Sequence, residues 1–186
     1  MKTRLFFRAL FVPLILLIFS TSCKKEVSDV TQDETLLSPG ATVPTAATEG
    51  RKLESPLLKA VRQATSRFNS TNQAIQAGYQ PTTHCVSSPA GGMGYHWANP
   101  SLIDPVYNPL EPEVLLYATG PGGNLKLVAI EYVVIDVGQP RPMFDGHPFD
   151  IMGAPIAAPH WTLHVWLHEH NPAGMFTKFN PNITCP

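Results

Sequence analysis

The sequence is poor in charge, and this scarcity excludes several classes of protein. Charged residues occupy only 15% of the 186 positions, and the formal net charge is −1. A nucleic-acid-binding protein usually carries a basic excess, and a highly charged disordered chain carries far more charge of one sign. We therefore expect no nucleic-acid partner and an ordinary folded domain.

Several common catalytic and cofactor motifs are also absent. The chain has no HExxH, no GxSxG, no P-loop and no GxGxxG motif. These absences exclude the zinc proteases, serine hydrolases and nucleotide-binding proteins that are defined by those motifs. It has no CxxCH for covalent haem. Cys185 is followed only by Pro186, which excludes the closely spaced Cys, His and Met of a blue-copper site.

The first 22 residues are predicted to be a signal peptide. A basic start is followed by an apolar run at 9–19, too short for a membrane span of ~20 residues. Small residues at 20–22 precede Cys23, and with the Lys-Lys-Glu that follows they resemble the lipobox of bacterial lipoproteins. The resemblance implies cleavage before Cys23, lipid on its sulfur, an acylated amine and anchoring to the membrane in the bacterial cell envelope, facing the periplasm or the exterior. The alternative is ordinary secretion.

The chain after the leader divides into two parts. Residues 23–53 are rich in Ser, Thr, Ala and acidic residues, which predicts a lipid anchor and flexible tether. Residues 54–186 are predicted to form a single globular domain. The leader holds three positive and no negative charges, so the chain from Cys23 onward has a net charge of −4. That sign does not favour binding to an anionic membrane surface.

The two cysteines that remain are predicted to form a disulfide. An exported protein folds in an oxidising compartment, where two leftover thiols most simply pair. Cys85 and Cys185 would then join the start of the folded domain to the end of the chain. The alternative is that one of them binds a metal, although neither stands in a CxxC pair.

Hydrophobic periodicity predicts an α+β fold. Ser55 and Pro56 are suited to the start of a helix, helical spacing continues to a stop at Gly78, and the polar stretch 69–72 can divide it.

Three segments alternate or are wholly apolar and read as strands, at 113–119, 125–137 and 161–167, with a turn between the first two. Two long Pro/Gly-rich stretches, 79–112 and 138–159, read as loops. We therefore expect an N-terminal helix packed on a curved, mainly antiparallel sheet or small barrel with long loops.

Polar residues inside the apolar strands are the strongest functional signal. Glu131 lies in the middle of a long apolar strand, and His164 alternates with apolar residues in another. A buried carboxylate needs a partner or must stay protonated. On a strand, residues four apart lie ~13 Å apart, so His160, His164 and His168 cannot bind one ion together.

The loops offer further ligands for a site around these two residues. The candidate metal ligands are His96, His147, His160, His164, Glu131 and Asp150. Imidazole and carboxylate together suit zinc, copper, iron or manganese. In an enzyme, Glu131 and His164 would be the catalytic residues, with Trp97, Trp161 and Trp166 walling an apolar pocket for a small-molecule ligand. The alternative is a metal-free ligand- or partner-binding module in which Glu131 and His164 form a structural pair.

Parts of the folded domain resemble an uncharacterised family of secreted bacterial hypothetical proteins. The resemblance spans most of the domain and is carried by residues 92–96, 112–117, 147–150, 163–167 and 171–176. It implies membership of such a family and brings no activity with it.

Overall fold

The computed structural model describes residues 54–152 and 156–186. The predicted signal peptide, Cys23 and the tether lie outside the described residues. Everything below concerns the described part of the chain.

The helical segment begins where the sequence predicts. The Ser55 hydroxyl oxygen accepts a hydrogen bond from the Leu58 N–H at 3.1 Å, and Pro56 is the first helical residue. Gly78 adopts φ +95°, a left-handed conformation suited to glycine at the end of a helix. Between these residues the segment is divided into α1 (Pro56–Thr65), a 3₁₀ helix (Ser66–Asn69) and α2 (Thr71–Gln76).

Nine strands follow the helices. Their bounds are β1 (Gln80–Pro81), β2 (Val86–Ser88), β3 (Gly91–Ala98), β4 (Val114–Thr119), β5 (Leu125–Ile135), β6 (Met143–Phe144), β7 (His147–Pro148), β8 (Asp150–Met152) and β9 (His160–Val165). Seven of them form one sheet in the order β1-β3-β4-β5-β9-β8, with β2 also paired to β3, and β6 pairs with β7. The described strand pairs are antiparallel, and the sheet is not closed into a barrel. The α+β prediction is confirmed in its open-sheet form.

The predicted loops at 79–112 and 138–159 are partly wrong, because strands run through both of them. The longest strand not predicted from the sequence is β3, because its glycines are typical of turns. A Cβ atom at Gly91 would lie 2.3 Å from the Asn180 carbonyl oxygen, and one at Gly94 would lie 2.2 Å from the Tyr117 carbonyl oxygen. Glycine is required here because neighbouring backbone approaches too closely for a side chain.

The two faces of the sheet have different neighbours. On one face Phe68 packs with the larger core cluster, and the Tyr117 hydroxyl donates to its carbonyl oxygen at 2.6 Å. On the other face a smaller cluster contains Leu116, Ala129 and Ile183. Along β5, alternate residues from Ile130 onward enter the larger core. The residues between them belong to the face opposite the helices.

The predicted disulfide is confirmed. Cys85 and Cys185 are bonded across a sequence separation of 100 residues, with their Cα atoms 5.5 Å apart. A disulfide of this kind indicates an oxidising, extracytoplasmic compartment. Within 54–152 and 156–186, none of the helices has the length and apolar character needed to cross a bilayer.

Candidate metal centre and adjoining cavity

Strand register brings three of the predicted ligands onto one face of the sheet. Glu131 on β5 lies directly opposite His164 on β9. His96 on β3 is opposite Leu116, which is opposite Ala129, two residues before Glu131. Because residues two apart on a strand share a face, His96, Glu131 and His164 point to the same side although they come from three strands.

The ligand atoms of these residues, which we call the His/Glu/His group, converge. The His96 Nε2 atom lies 3.6 Å from Glu131 Oε2, and the His164 Nε2 atom lies 3.7 Å from Glu131 Oε1. One ligand atom from each residue lies within 4.8 Å of the other two. The two imidazole rings are close to perpendicular, at 84°.

These separations fit a shared metal ion better than direct hydrogen bonds. Tetrahedral coordination with bonds of ~2.0–2.2 Å places ligand atoms about 3.3–3.6 Å apart, close to the two nitrogen–oxygen distances. Hydrogen bonds between nitrogen and oxygen span roughly 2.7–3.2 Å. The structural Glu131–His164 hydrogen bond of the alternative interpretation is therefore not formed, and the His/Glu/His group can hold a metal ion.

Burial keeps both histidines of the group in the form that binds metals. Removal from water lowers the pKa of His96, helped by His164 and opposed by the Glu131 carboxylate. Burial and the positive charge of Lys178 lower the pKa of His164 to about 4. Both imidazoles are consequently neutral at pH 7, and a neutral ring nitrogen is what a metal ion requires.

Burial disfavours the ionised form of Glu131, the third member of the group. Desolvation raises the pKa of Glu131, opposed by His96, His160 and Lys178. The His164 Nε2 atom is buried and has no hydrogen-bond partner among the described residues, which is unfavourable for a polar atom. A cation between the carboxylate and the imidazoles would satisfy both.

The remaining predicted ligands lie outside this group. The His160 Nδ1 atom donates to the Ala158 carbonyl oxygen at 2.8 Å, and its ring lines the adjoining cavity. Asp150 on β8 pairs with Thr162, next to the site strand. His147 stacks on Phe176 at 4.4 Å. The separation of His160 from His164 follows from strand spacing, as the sequence predicts. The positions of Asp150 and His147 depend on the pairing of the short strands β8 and β7, which strand alternation in the sequence does not reveal.

The three tryptophans do not wall the cavity as predicted. Trp97 and Trp161 are in the larger core, and Trp166 is in the smaller cluster with its Nε1–H donating to the Thr177 carbonyl oxygen at 2.7 Å. The reason is alternation: Trp97 and Trp161 each lie an odd number of residues from the site histidine on their own strand.

A cavity of about 450 Å³ adjoins the His/Glu/His group. Its lining includes buried Glu131, Thr162 and His164 as well as exposed Thr82 and Pro100. Its volume is within the range of small-molecule sites, about 300–1,000 Å³. Thr162 and Lys178 line it but were not predicted as functional; Thr162 could have been found, because it alternates with His160 and His164.

Comparisons with protein-family models, with curated proteins and with solved structures find no match. The resemblance to secreted bacterial proteins stays a prediction, and the site has to be interpreted from its own geometry.

Sequence reasoning also missed a second buried carboxyl group, Glu113. It immediately precedes β4, where a charged residue looks like an ordinary strand boundary. Its Oε2 atom accepts a hydrogen bond from the Val133 N–H at 2.9 Å. Burial raises the pKa of Glu113 to about 8, opposed by that hydrogen bond and reinforced by Asp104 and Glu131.

The Glu113→Gln variant should be more stable than the wild type at alkaline pH. Because the folded protein holds a proton that the unfolded chain releases near pH 4.5, wild-type stability falls as pH rises from about 4.5 to 8. The loss is up to ~1.4 kcal/mol per pH unit. Glutamine keeps a side-chain oxygen that can accept the hydrogen bond from the Val133 N–H, and it has no carboxyl group to titrate. Urea unfolding at pH 5–9 measures the difference, and a variant with the wild-type slope would contradict it. Exposed Glu111 supplies the control, Glu111→Gln.

Proposed function

We propose that this protein binds a divalent transition-metal ion through His96, Glu131 and His164. In this proposal the protein is a metal-dependent enzyme that acts on a small molecule in the bacterial cell envelope. The proposal is carried by one observation: three ligand atoms from three strands lie within 4.8 Å of one another. The Nε2 atoms of His96 and His164 are both held beyond hydrogen-bonding distance of the Glu131 carboxylate oxygens.

The donor set narrows the choice of metal. Two imidazoles and one carboxylate suit zinc, iron, manganese or copper, whereas magnesium and calcium prefer oxygen ligands. Three protein ligands leave at least one coordination position for water or substrate, which is the usual arrangement of a catalytic zinc site. A metal at this position would polarise a substrate oxygen or lower the pKa of bound water.

We assign proton transfer in the adjoining cavity to His160, which lies four residues, ~13 Å along the strand, from His164. Its Nδ1 atom donates to the Ala158 carbonyl oxygen, so Nε2 is the ring nitrogen left to accept a proton. The ring is buried and lines the cavity next to the His/Glu/His group. In this proposal Glu131 is a metal ligand and His160 is the general base.

The lipid anchor on Cys23 completes the proposal. The disulfide places the folded domain in an oxidising compartment, where a lipobox cysteine would be acylated. Membrane fractionation tests it: the wild-type chain should remain with the membranes, and Cys23→Ala should release the protein. Equal distribution of the two would argue for simple secretion.

Metal analysis of the purified full chain tests the central claim. We expect one zinc, copper, iron or manganese ion per chain, removable by a chelator and restored by titration. His164→Ala should weaken metal binding at least about 100-fold, because even groups that only support a ligand contribute 10–100-fold.

His147→Ala is the matched control. It removes an imidazole from the predicted ligand set, but this ring stacks on Phe176 outside the group, so metal content should be unchanged. Equal losses in both variants, or a wild-type protein that binds none of the four metals, would refute the assignment.

A further inference from the structure

We infer that the cavity beside the His/Glu/His group binds a small carboxylate whose body is apolar, with the carboxylate at the sheet and the body extending toward the loops. The inference rests on the proposed metal site for one of its three polar contacts. The other two contacts come from the chain itself.

The walls of the cavity determine the character of the body. They are mainly apolar and include Val86, Ile103, Val114, Val133 and Ile156. At about 450 Å³, the space exceeds what a bare inorganic anion needs and suits an organic molecule of modest size. Burial of apolar surface against these side chains would supply much of the affinity.

One residue that lines the cavity, Thr162, has a hydroxyl group without a hydrogen-bond partner among the described residues. Thr162 is only 4% exposed, and its hydroxyl oxygen is buried. It lines the cavity two residues before His164 on the same strand face. Buried hydroxyls are nearly always hydrogen-bonded, so this group is available to donate to an oxygen atom of a bound molecule.

Charge at the same end favours an anion. Glu131 is the one carboxylate among the described residues that line the cavity, and Lys178 lines it as well. Lys178 is close enough to influence both Glu131 and His164 electrostatically. Asp150, which is opposite Thr162 on the neighbouring strand, also acts on His164. Lys178 and a dication would together supply three positive charges against the negative charges of Glu131 and Asp150, and the resulting positive local charge attracts a carboxylate and repels an amine.

Ligand titration of the zinc-loaded full chain tests the inference with four probes. 3-Phenylpropanoate combines the carboxylate with an apolar body. Acetate keeps only the carboxylate, 3-phenylpropan-1-ol replaces it with a neutral group, and 3-phenylpropylamine reverses its charge. We expect 3-phenylpropanoate to bind at least about tenfold more tightly than each of the others, since each lacks one of the two sources of affinity.

Two variants locate the binding site. Thr162→Val removes the hydroxyl while keeping its shape, and Lys178→Met removes the charge. Each should weaken 3-phenylpropanoate about tenfold. Zinc affinity should stay within about threefold of wild type for Thr162→Val, since Thr162 lies outside the His/Glu/His group. Thr119→Val, at the exposed end of β4, is the matched control and should bind the probe normally.

The outcomes separate this inference from the proposed metal site. If zinc binds but 3-phenylpropanoate does not exceed the other probes, the inference is wrong and the metal site stands. If zinc, copper, iron and manganese all fail to bind but the probe binds in a Thr162-dependent way, the metal site is wrong and the carboxylate pocket stands. If neither binds, both are wrong.

Discussion

Replacing Cys85 and Cys185 together with serine should lower the free energy of unfolding by about 4–5 kcal/mol. The bridge closes a loop of 100 residues, and in the chain-entropy model a loop of that length restricts the unfolded state by ~4.7 kcal/mol. For a domain of this size each 1 kcal/mol corresponds to roughly 3–4 °C. Urea unfolding and thermal melting of the double variant would measure the loss.

The bridge also lies close in sequence to a residue that contacts the His/Glu/His group. Cys85 precedes β2 and follows Thr83, whose hydroxyl oxygen lies 3.4 Å from the His96 Nδ1 atom. Reduction breaks the same bond that the double serine variant lacks. Reduced wild-type protein should match that variant in stability, and the variant should not respond to reductant. An unchanged urea midpoint in the variant would show that the bridge contributes little.

The fold class could be predicted because most core residues follow the hydrophobic periodicity of a helix or a strand. Helical spacing with Ser55 and Pro56 at its start gave the helix, and the long apolar stretch gave β5. β3 was missed because Gly91, Gly92 and Gly94 have low strand propensity. They are present because Asn180, Ile183 and Tyr117 approach the backbone closely, a contact between distant parts of the chain.

The candidate site shows the same limit. Glu131 and His164 could be singled out because each interrupts an apolar strand, and they prove to be cross-strand neighbours. His96 was predicted as a loop residue, and its place depends on the pairing of β3 with β4. Glu113 gave no signal, because only the folded structure shows that its carboxylate replaces a strand partner for Val133.

Replacing Glu131 with glutamine should have opposite effects on metal binding and on stability. The change removes a unit of negative charge next to a dication in a buried site. At an effective dielectric constant of about 20, unit charges 4 Å apart interact by ~4 kcal/mol, and the double charge of the metal ion doubles this interaction. We therefore expect metal affinity to fall by at least about 1,000-fold. Competition with a chelating dye would measure this loss.

The metal-free Glu131→Gln protein should unfold at a higher temperature than the metal-free wild type at pH 7. Desolvation raises the pKa of Glu131 above its ordinary value of 4.5, so the folded wild type loses stability as pH rises from about 4.5 through the raised pKa. Glutamine does not titrate. Glu113→Gln is the matched control, because it replaces a second buried carboxyl group that lies outside the His/Glu/His group; metal affinity should be retained. A less stable Glu131→Gln protein would show instead that the carboxylate serves the structure. Higher stability with lost metal would show that the chain keeps a costly buried carboxylate for its affinity toward a cation.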